Sequence, residues 1–305
     1  MKRRDFIRTG VGAGLLSGAF PLFGGLDQVY GKPATANYDL AAVRGGNGPD
    51  MFDRAIEAIG GISNYVKSGQ KVVVKPNIGW DAPPERAANT NPELVGHIVK
   101  RCVEAGASEV YVFDNTCNKW DRCYRNSGIK AEVEAAGGKM VPGNTETFYK
   151  EIDIPNGVKL KKAKVHKLIL ESDVFINVPV MKHHSSTRIS LALKNLMGVV
   201  WDRKFYHSND LHQCIADFYT AVKPDLNIID GYNMMTKNGP RGVSVADVTN
   251  LKALIASTDI VAADAAAAKM FSLEPADIGH IQIAHDMNLG NMNLEELSIS
   301  KQKMA

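Results

Sequence analysis

Residues 71–77 read KVVVKPN, three consecutive valines held between lysines and closed by a proline and an asparagine. A half-exposed strand alternates apolar and polar side chains. An unbroken β-branched run therefore predicts a strand buried on both faces, as in a parallel sheet covered by helices. Residues 109–113 (EVYVF), ending in Asp114-Asn115, predict the next strand, and residues 174–178 (VFINV), ending at Pro179, a further buried one. Shorter runs at 38–43, 139–141, 227–229 and 254–256 predict more strands, and residues 150–160, with Pro155-Asn156-Gly157 inside, predict a hairpin.

Helices are expected between these runs, at 50–59, 92–105, 124–136, 189–197, 211–222, 259–270 and 275–287. Asn91 is a ready cap for the second, and Gly106 a ready stop. Alternation of strand and helix predicts an α/β fold with a mostly parallel or mixed sheet and helices on both faces. It would be one body or two intimate lobes around a cleft, with ligands bound beyond the carboxyl ends of the strands.

The first eight residues, MKRRDFIR, carry a twin arginine followed by an aromatic, an aliphatic and a base. Behind them residues 10–23 are weakly apolar, too short and glycine-rich for a bilayer-spanning helix, and Ala34-Thr35-Ala36 supplies a small-x-small cleavage pattern. Residues 1–36 are thus expected to be a twin-arginine signal, recognised by the twin-arginine translocase, and residues 37–305 a single periplasmic or extracellular domain without a permanent membrane span. That route carries folded proteins, chiefly ones loaded with a cofactor, although a cofactor-free fast folder would use it too.

Removing five bases and two acids with that segment from a chain of net charge +3 leaves zero, so neither nucleic acid nor an anionic membrane is expected as a partner. The apolar fraction, 45%, and the charged fraction, 23%, are those of a soluble globular protein.

Four strand ends carry polar clusters: Lys75 and Asn77, Asp114 and Asn115, the segment Lys182-His183-His184, and Asp230. In a parallel sheet they would share one rim. One polar residue after a strand is ordinarily a turn former, but four clusters rich in lysine, asparagine, aspartate and histidine point to a site. Lys182 and His184, two apart in an extended segment, should face the same way while His183 faces off.

Lys182, Arg188 and a helix opening near Ser185-Ser186-Thr187 would hold a phosphate or carboxylate, with Lys194 and Asn195 on the helix that follows. His184 would act as acid or base, and Asp230 or Asp114 would orient it or bind a metal. Asn238-Gly239-Pro240-Arg241-Gly242 is either a clamp on the ligand or a plain turn, with Asn238 and Arg241 as its polar side chains.

A metal would need further ligands such as His207 or His212, and no characteristic spacing supplies them. The four cysteines, Cys102, Cys117, Cys123 and Cys214, lack ferredoxin or zinc spacing. Cys117 and Cys123 would close their loop as a disulfide in an oxidising compartment, or join a cluster.

Several segments together resemble domain-of-unknown-function family 362. They are VVVKPNIGW (72–80), VFDNTCN (112–118) with YRNSGI (124–129), SDVFINVPVMKHHSSTRISLALKNLMG (172–198), IIDGYN (228–233) with NGPRG (238–242), and STDIVAADAAAAKMF (257–271). The resemblance implies no assigned reaction. Many relatives look like iron–sulfur proteins through an appended ferredoxin segment, and this sequence shows none of its cysteine spacing. Relatives more often resemble Pro-Lys-aliphatic-Lys-Thr-His where this chain has residues 179–184, so Lys182 and His184 match while Val180 and His183 depart. The layout is also distantly similar to the amino-terminal part of nickel-dependent lactate racemase, which implies that Lys182 and His184 face a cleft.

The expected function is that of an exported, metal- or redox-cofactor-dependent enzyme, an oxidoreductase or isomerase, acting on a small anionic or carbonyl-bearing substrate. The alternative is a non-catalytic periplasmic binding or accessory protein for an exported redox partner.

Overall fold

The computed structural model describes residues 37–305, and the expected export segment, residues 1–36, lies outside the described residues. The chain runs β1 (Leu40–Arg44), α1 (Gly48–Ala58), β2 (Lys71–Pro76), α2 (Pro92–Glu104), β3 (Glu109–Val112), α3 (Trp120–Asn126), α4 (Ile129–Ala135), β4 (Lys139–Met140), β5 (Tyr149–Asp153) and β6 (Lys162–His166). It continues through β7 (Val174–Val178), β8 (Val180–His184), β9 (Arg188–Ser190), α5 (Ala192–Asn195), α6 (Lys204–Ser208), α7 (Leu211–Tyr219), β10 (Leu226–Met235), β11 (Val248–Ser257), α8 (Ile260–Met270), α9 (Gly279–Asp286) and β12 (Ile299–Lys303).

Ten strands form one sheet, ordered β12-β1-β11-β10-β7-β2-β3-β4, with β8 paired to β10 and β9 paired to β8. The run β10-β7-β2-β3-β4 is parallel, whereas β11 is antiparallel to both its neighbours. β5 and β6 make a separate antiparallel pair. The valines of β2 are fully buried because helices cover both faces. Val72 and Val74 meet Phe52 of α1, Leu94 of α2 and Val133 of α4 on one face, and Val73 belongs with Phe218 of α7 and Ile260 of α8 on the other.

Three expectations change. The helix over 124–136 is two, α3 and α4, broken where Gly128 takes φ +77°, a left-handed conformation that glycine adopts without strain. Residues 180–184 are not a loop but strand β8, and the helix expected at 189–197 starts only at Ala192, because residues 188–190 return as β9 with Lys182 opposite Ser190. The hairpin expected at 150–160 pairs 149–153 with 162–166, its turn displaced toward the carboxyl end. β12, read from ISKQK, has no apolar run to announce it and forms the edge of the sheet, in parallel beside β1.

Helix α5 is only four residues long and has no side-chain cap of its own. Its two leading N–H groups are taken instead by Asp264, buried in the middle of α8, at 2.6 Å from Ala192 N and 2.9 Å from Leu193 N. Burial raises this carboxyl to about 7 against the opposing pull of those two donors. Replacing Asp264 by leucine strands two buried donors and should cost about 2–4 kcal/mol in urea unfolding, with asparagine losing less. A leucine variant as stable as the parent would show that α5 is held by other contacts.

Candidate functional site

Beyond the ends of β2 and β3, beside β8, opens a cleft of about 480 Å³. Asn77, Asp114, Lys182, His184, Lys194 and Asn195 all line it, together with Arg203, Lys204 and His207 from α6 and the segment before it. Lys182 and His184 share its wall. His183 points away and accepts the Gly239 N–H on Nδ1 at 3.1 Å.

Its floor is one connected polar network. Lys75, fully buried, pairs with Asp114 Oδ1 at 3.0 Å and donates to Asn195 Oδ1 at 2.8 Å. Asn195 Oδ1 also receives Asn77 Nδ2 at 3.0 Å, while Asn195 Nδ2 donates to Asn177 Oδ1 at 2.8 Å. Asn77 Oδ1 then accepts Lys182 Nζ at 2.8 Å, and the Ala88 carbonyl takes a second Lys182 proton at 2.5 Å. Gly198 abuts the ion pair so closely that a Cβ there would overlap Asp114 Oδ1 and stand 2.5 Å from Lys75 Nζ.

Charge in the cleft is unbalanced. Among the described residues lining it, Asp114 is the one acid, and it is already paired with Lys75. Burial pulls Lys182 down to about 7, opposed by Cys117 and Asp114 and aided by Lys75 and Lys194. Lys194, whose ammonium meets the Met197 sulfur at 3.3 Å, falls to about 8 for the same reason. Lys75 is also lowered by burial, against Asp114. His184 drops to about 3 through burial and the nearby Lys194 and Lys182, and its Nδ1 accepts the Ser186 N–H at 3.1 Å. The imidazole is therefore neutral near pH 7, with its proton on Nε2.

Several expected members lie elsewhere. Asp230 follows Ile229 in β10 and so shares the face of Ile228, on the α2 side of the sheet. There its carboxylate receives Asn91 N at 2.7 Å and Tyr232 N at 3.0 Å, away from His184, and burial lifts it to about 6. Arg188 is exposed on β9 and pairs with Asp277 at 3.3 Å, because the anticipated helix opening at 185–187 is a turn between two strands.

Asn115 spends its amide on the Val200 carbonyl at 2.8 Å, holding the loop rather than a ligand. Asn238 turns to Asp247 Oδ1 at 2.7 Å and Arg241 is exposed, leaving Pro240 as the member of that loop on the cleft wall. Cys117 and Cys123 are free thiols, Cys117 exposed and Cys123 buried with Sγ toward the Gly79 carbonyl, so the expected disulfide is not formed.

The reading of the sequence missed Arg203 and Lys204. Their cue is the charged run Asp202-Arg203-Lys204 directly after a buried stretch that ends at Val200. Arg203 reaches back to the Asn115 carbonyl at 2.8 Å and the Thr116 carbonyl at 3.0 Å, which brings α6 to the end of β3.

The metal candidates are not assembled. His212 stacks on His280, Asp230 is on the other face, and among the described residues no three His, Cys, Asp or Glu side chains stand together as ligands. Asp114, engaged by Lys75 and by Ile78 N at 2.7 Å, is set among cations, a donor set unsuited to a divalent ion.

A family model described as a domain of unknown function, DUF362, matches residues 72–269. The chain belongs to this family. It is 27% identical over 231 residues to thylakoid-associated protein sll1697 of Synechocystis sp., an alignment covering 73% of this chain and 70% of that one. Among solved structures it is similar to the lactate racemase apoprotein of Thermoanaerobacterium thermosaccharolyticum, with a TM-score of 0.46 and 12% identity. That match covers 73% of this chain and 55% of the racemase, so the chain spans about half the length of that protein. Among the described residues no helix is long and apolar enough to cross a membrane.

Lys182 generates a prediction with a definite sign. Its folded pKa, about 7, lies below the unfolded value near 10.5, so the cost of burying its charge is fully present below pH 7 and fades as pH rises toward 10.5. Thermal melts of Lys182→Met against the parent should therefore show the variant's relative stability falling steadily from pH 7 to pH 10. A difference that stays flat over this range would mean that Lys182 titrates normally.

Proposed function

We propose that the chain is an exported enzyme that holds a small carboxylate- or phosphate-bearing substrate in this cleft and moves a proton to or from it. The observation that carries this reading is the set Lys182, Lys194 and Arg203 around a cleft in which the one lining acid among the described residues, Asp114, is already paired. Anions entering such a site replace the missing counter-charge. Lys182, near 7, is the group matched to proton transfer at neutral pH, and so takes the role first expected of His184. His184, held neutral, donates from Nε2 to a substrate oxygen. Isomerisation or a redox step at a carbon beside the anion is the chemistry that these groups serve. If a cofactor is loaded before export, an anionic organic one suits this lining better than a metal.

Differential scanning with phosphate and with 2-hydroxy and 2-oxo carboxylates, glycerol serving as neutral control, tests the binding. At a ligand concentration of 100 times Kd, the stabilisation of about 2.7 kcal/mol should raise Tm by about 5–10 °C, and Lys194→Met should remove most of it. Shifts equal to that of glycerol would end the anion reading. Proton NMR in heavy water then separates enzyme from binding protein, since turnover exchanges the proton on the carbon next to the carboxylate and a passive carrier leaves it in place.

Export rests on residues 1–36, whose Arg3-Arg4 pair, weakly apolar stretch and Ala34-Thr35-Ala36 have the order of a twin-arginine signal. Replacing both arginines by lysine should retain the precursor uncleaved in the cytoplasm. Unchanged export of that variant would refute the route.

A further inference from the structure

We propose that Cys117 is the nucleophile of this cleft, adding reversibly through Sγ to the carbonyl carbon of a small anionic aldehyde or ketone. This deepens the anion-binding reading above and rests on it. Cys102, Cys123 and Cys214 are buried, and burial pushes their thiols up to about 12, 11 and 11. Cys117 alone of the four is exposed, on the cleft wall, in a loop fixed by Cys117 N on the Gly79 carbonyl at 2.8 Å.

The sulfur does not stand alone there. Arg203 Nη1 lies 3.5 Å from Sγ, clamped to the same loop through its bonds to the carbonyls of Asn115 and Thr116. Gly79 lies between the sulfur and the amide that holds Lys182: a Cβ built on that glycine would lie 3.9 Å from Cys117 Sγ and 3.7 Å from Asn77 Oδ1. Lys182 is 2% exposed and lines the same cleft, with Asn77 Oδ1 and the Ala88 carbonyl as its partners and no carboxylate to meet its charge. A buried, uncompensated ammonium and a guanidinium thus flank an accessible thiol. An anionic group drawn to these cations would bring a neighbouring carbonyl carbon to the sulfur.

The step balances without a further reactant. The S–C bond forms as the carbonyl π bond opens, the electron pair passes to oxygen, and the Lys182 ammonium gives a proton to that oxygen and takes up the one released from sulfur. The product is a hemithioacetal or hemithioketal, and nothing is oxidised or reduced.

Alkylation of the full-length protein with iodoacetate and with iodoacetamide, followed by peptide mass mapping, tests this. Cys117 should react about tenfold faster with iodoacetate than the iodoacetate-to-iodoacetamide ratio of the urea-unfolded chain predicts, the order of effect of one charge contact near a surface. Lys194→Met should reduce that advantage. Glyoxylate should then protect Cys117 from iodoacetamide at far lower concentration than glycolate, which has the same charge and size and no electrophilic carbon. Equal protection by the two would overturn the nucleophile while leaving the anion site intact. No advantage for iodoacetate, or a Cys117 inert to both reagents, would overturn the proposal at its root. Cys117→Ser, a change at an exposed position, confirms the assignment of the label.

Discussion

The buried Lys75–Asp114 ion pair is the interaction on which the rest of the site depends. A charge at the end of a central strand is tolerated only when it is paired and its remaining protons are satisfied, and the Pro76 carbonyl and the Asn195 amide oxygen complete it. Asn195 is placed by α5, α5 by the buried Asp264, and Asp264 by the alanine-rich helix α8, whose small side chains let it lie close on the sheet. The chain of dependence runs from helix packing on one face to the position of an amide in the cleft. Disturbing it anywhere shifts Asn77 as well, since Asn77 and Lys75 share the Asn195 oxygen.

Much of the fold was legible because it is written in short-range chemistry. The runs KVVVK and VFINV mark strands buried on both faces, EVYVF marks a half-buried strand beside them, and their polar ends fall where a parallel sheet puts ligands. The errors have physical causes. Asp230 ends the same kind of run but has the wrong parity, and a single residue of register decides which face of a sheet a side chain joins. The segment 180–190 (VMKHHSSTRIS) is an unbroken polar run from Lys182 to Arg188, so its strand character comes from pairing with β10 and between its own two arms rather than from apolar content. Arg203 reaches the site through tertiary packing, and its one local cue is the short charged run that follows a buried stretch.

The division of labour in the cleft was also beyond composition. A histidine has a reference pKa near neutrality and a lysine does not, which favours His184 on paper. Placing both in a cleft with several cations reverses that choice, because burial and like charge lower both groups together: the lysine arrives near 7 and the histidine far below. The same environment turns a surplus of positive charge into a requirement for something negative. Hydrophobic replacements would make this region more stable, for an unpaired buried ammonium is a cost that no fold needs. Departures of this kind from the most stable arrangement concentrate where a ligand supplies the missing term. In the proposed reading that term is a counter-charge within reach of Lys182, Lys194 and Arg203, and the structural residues around them, from Asp264 to Gly198, hold the walls of the cleft in place.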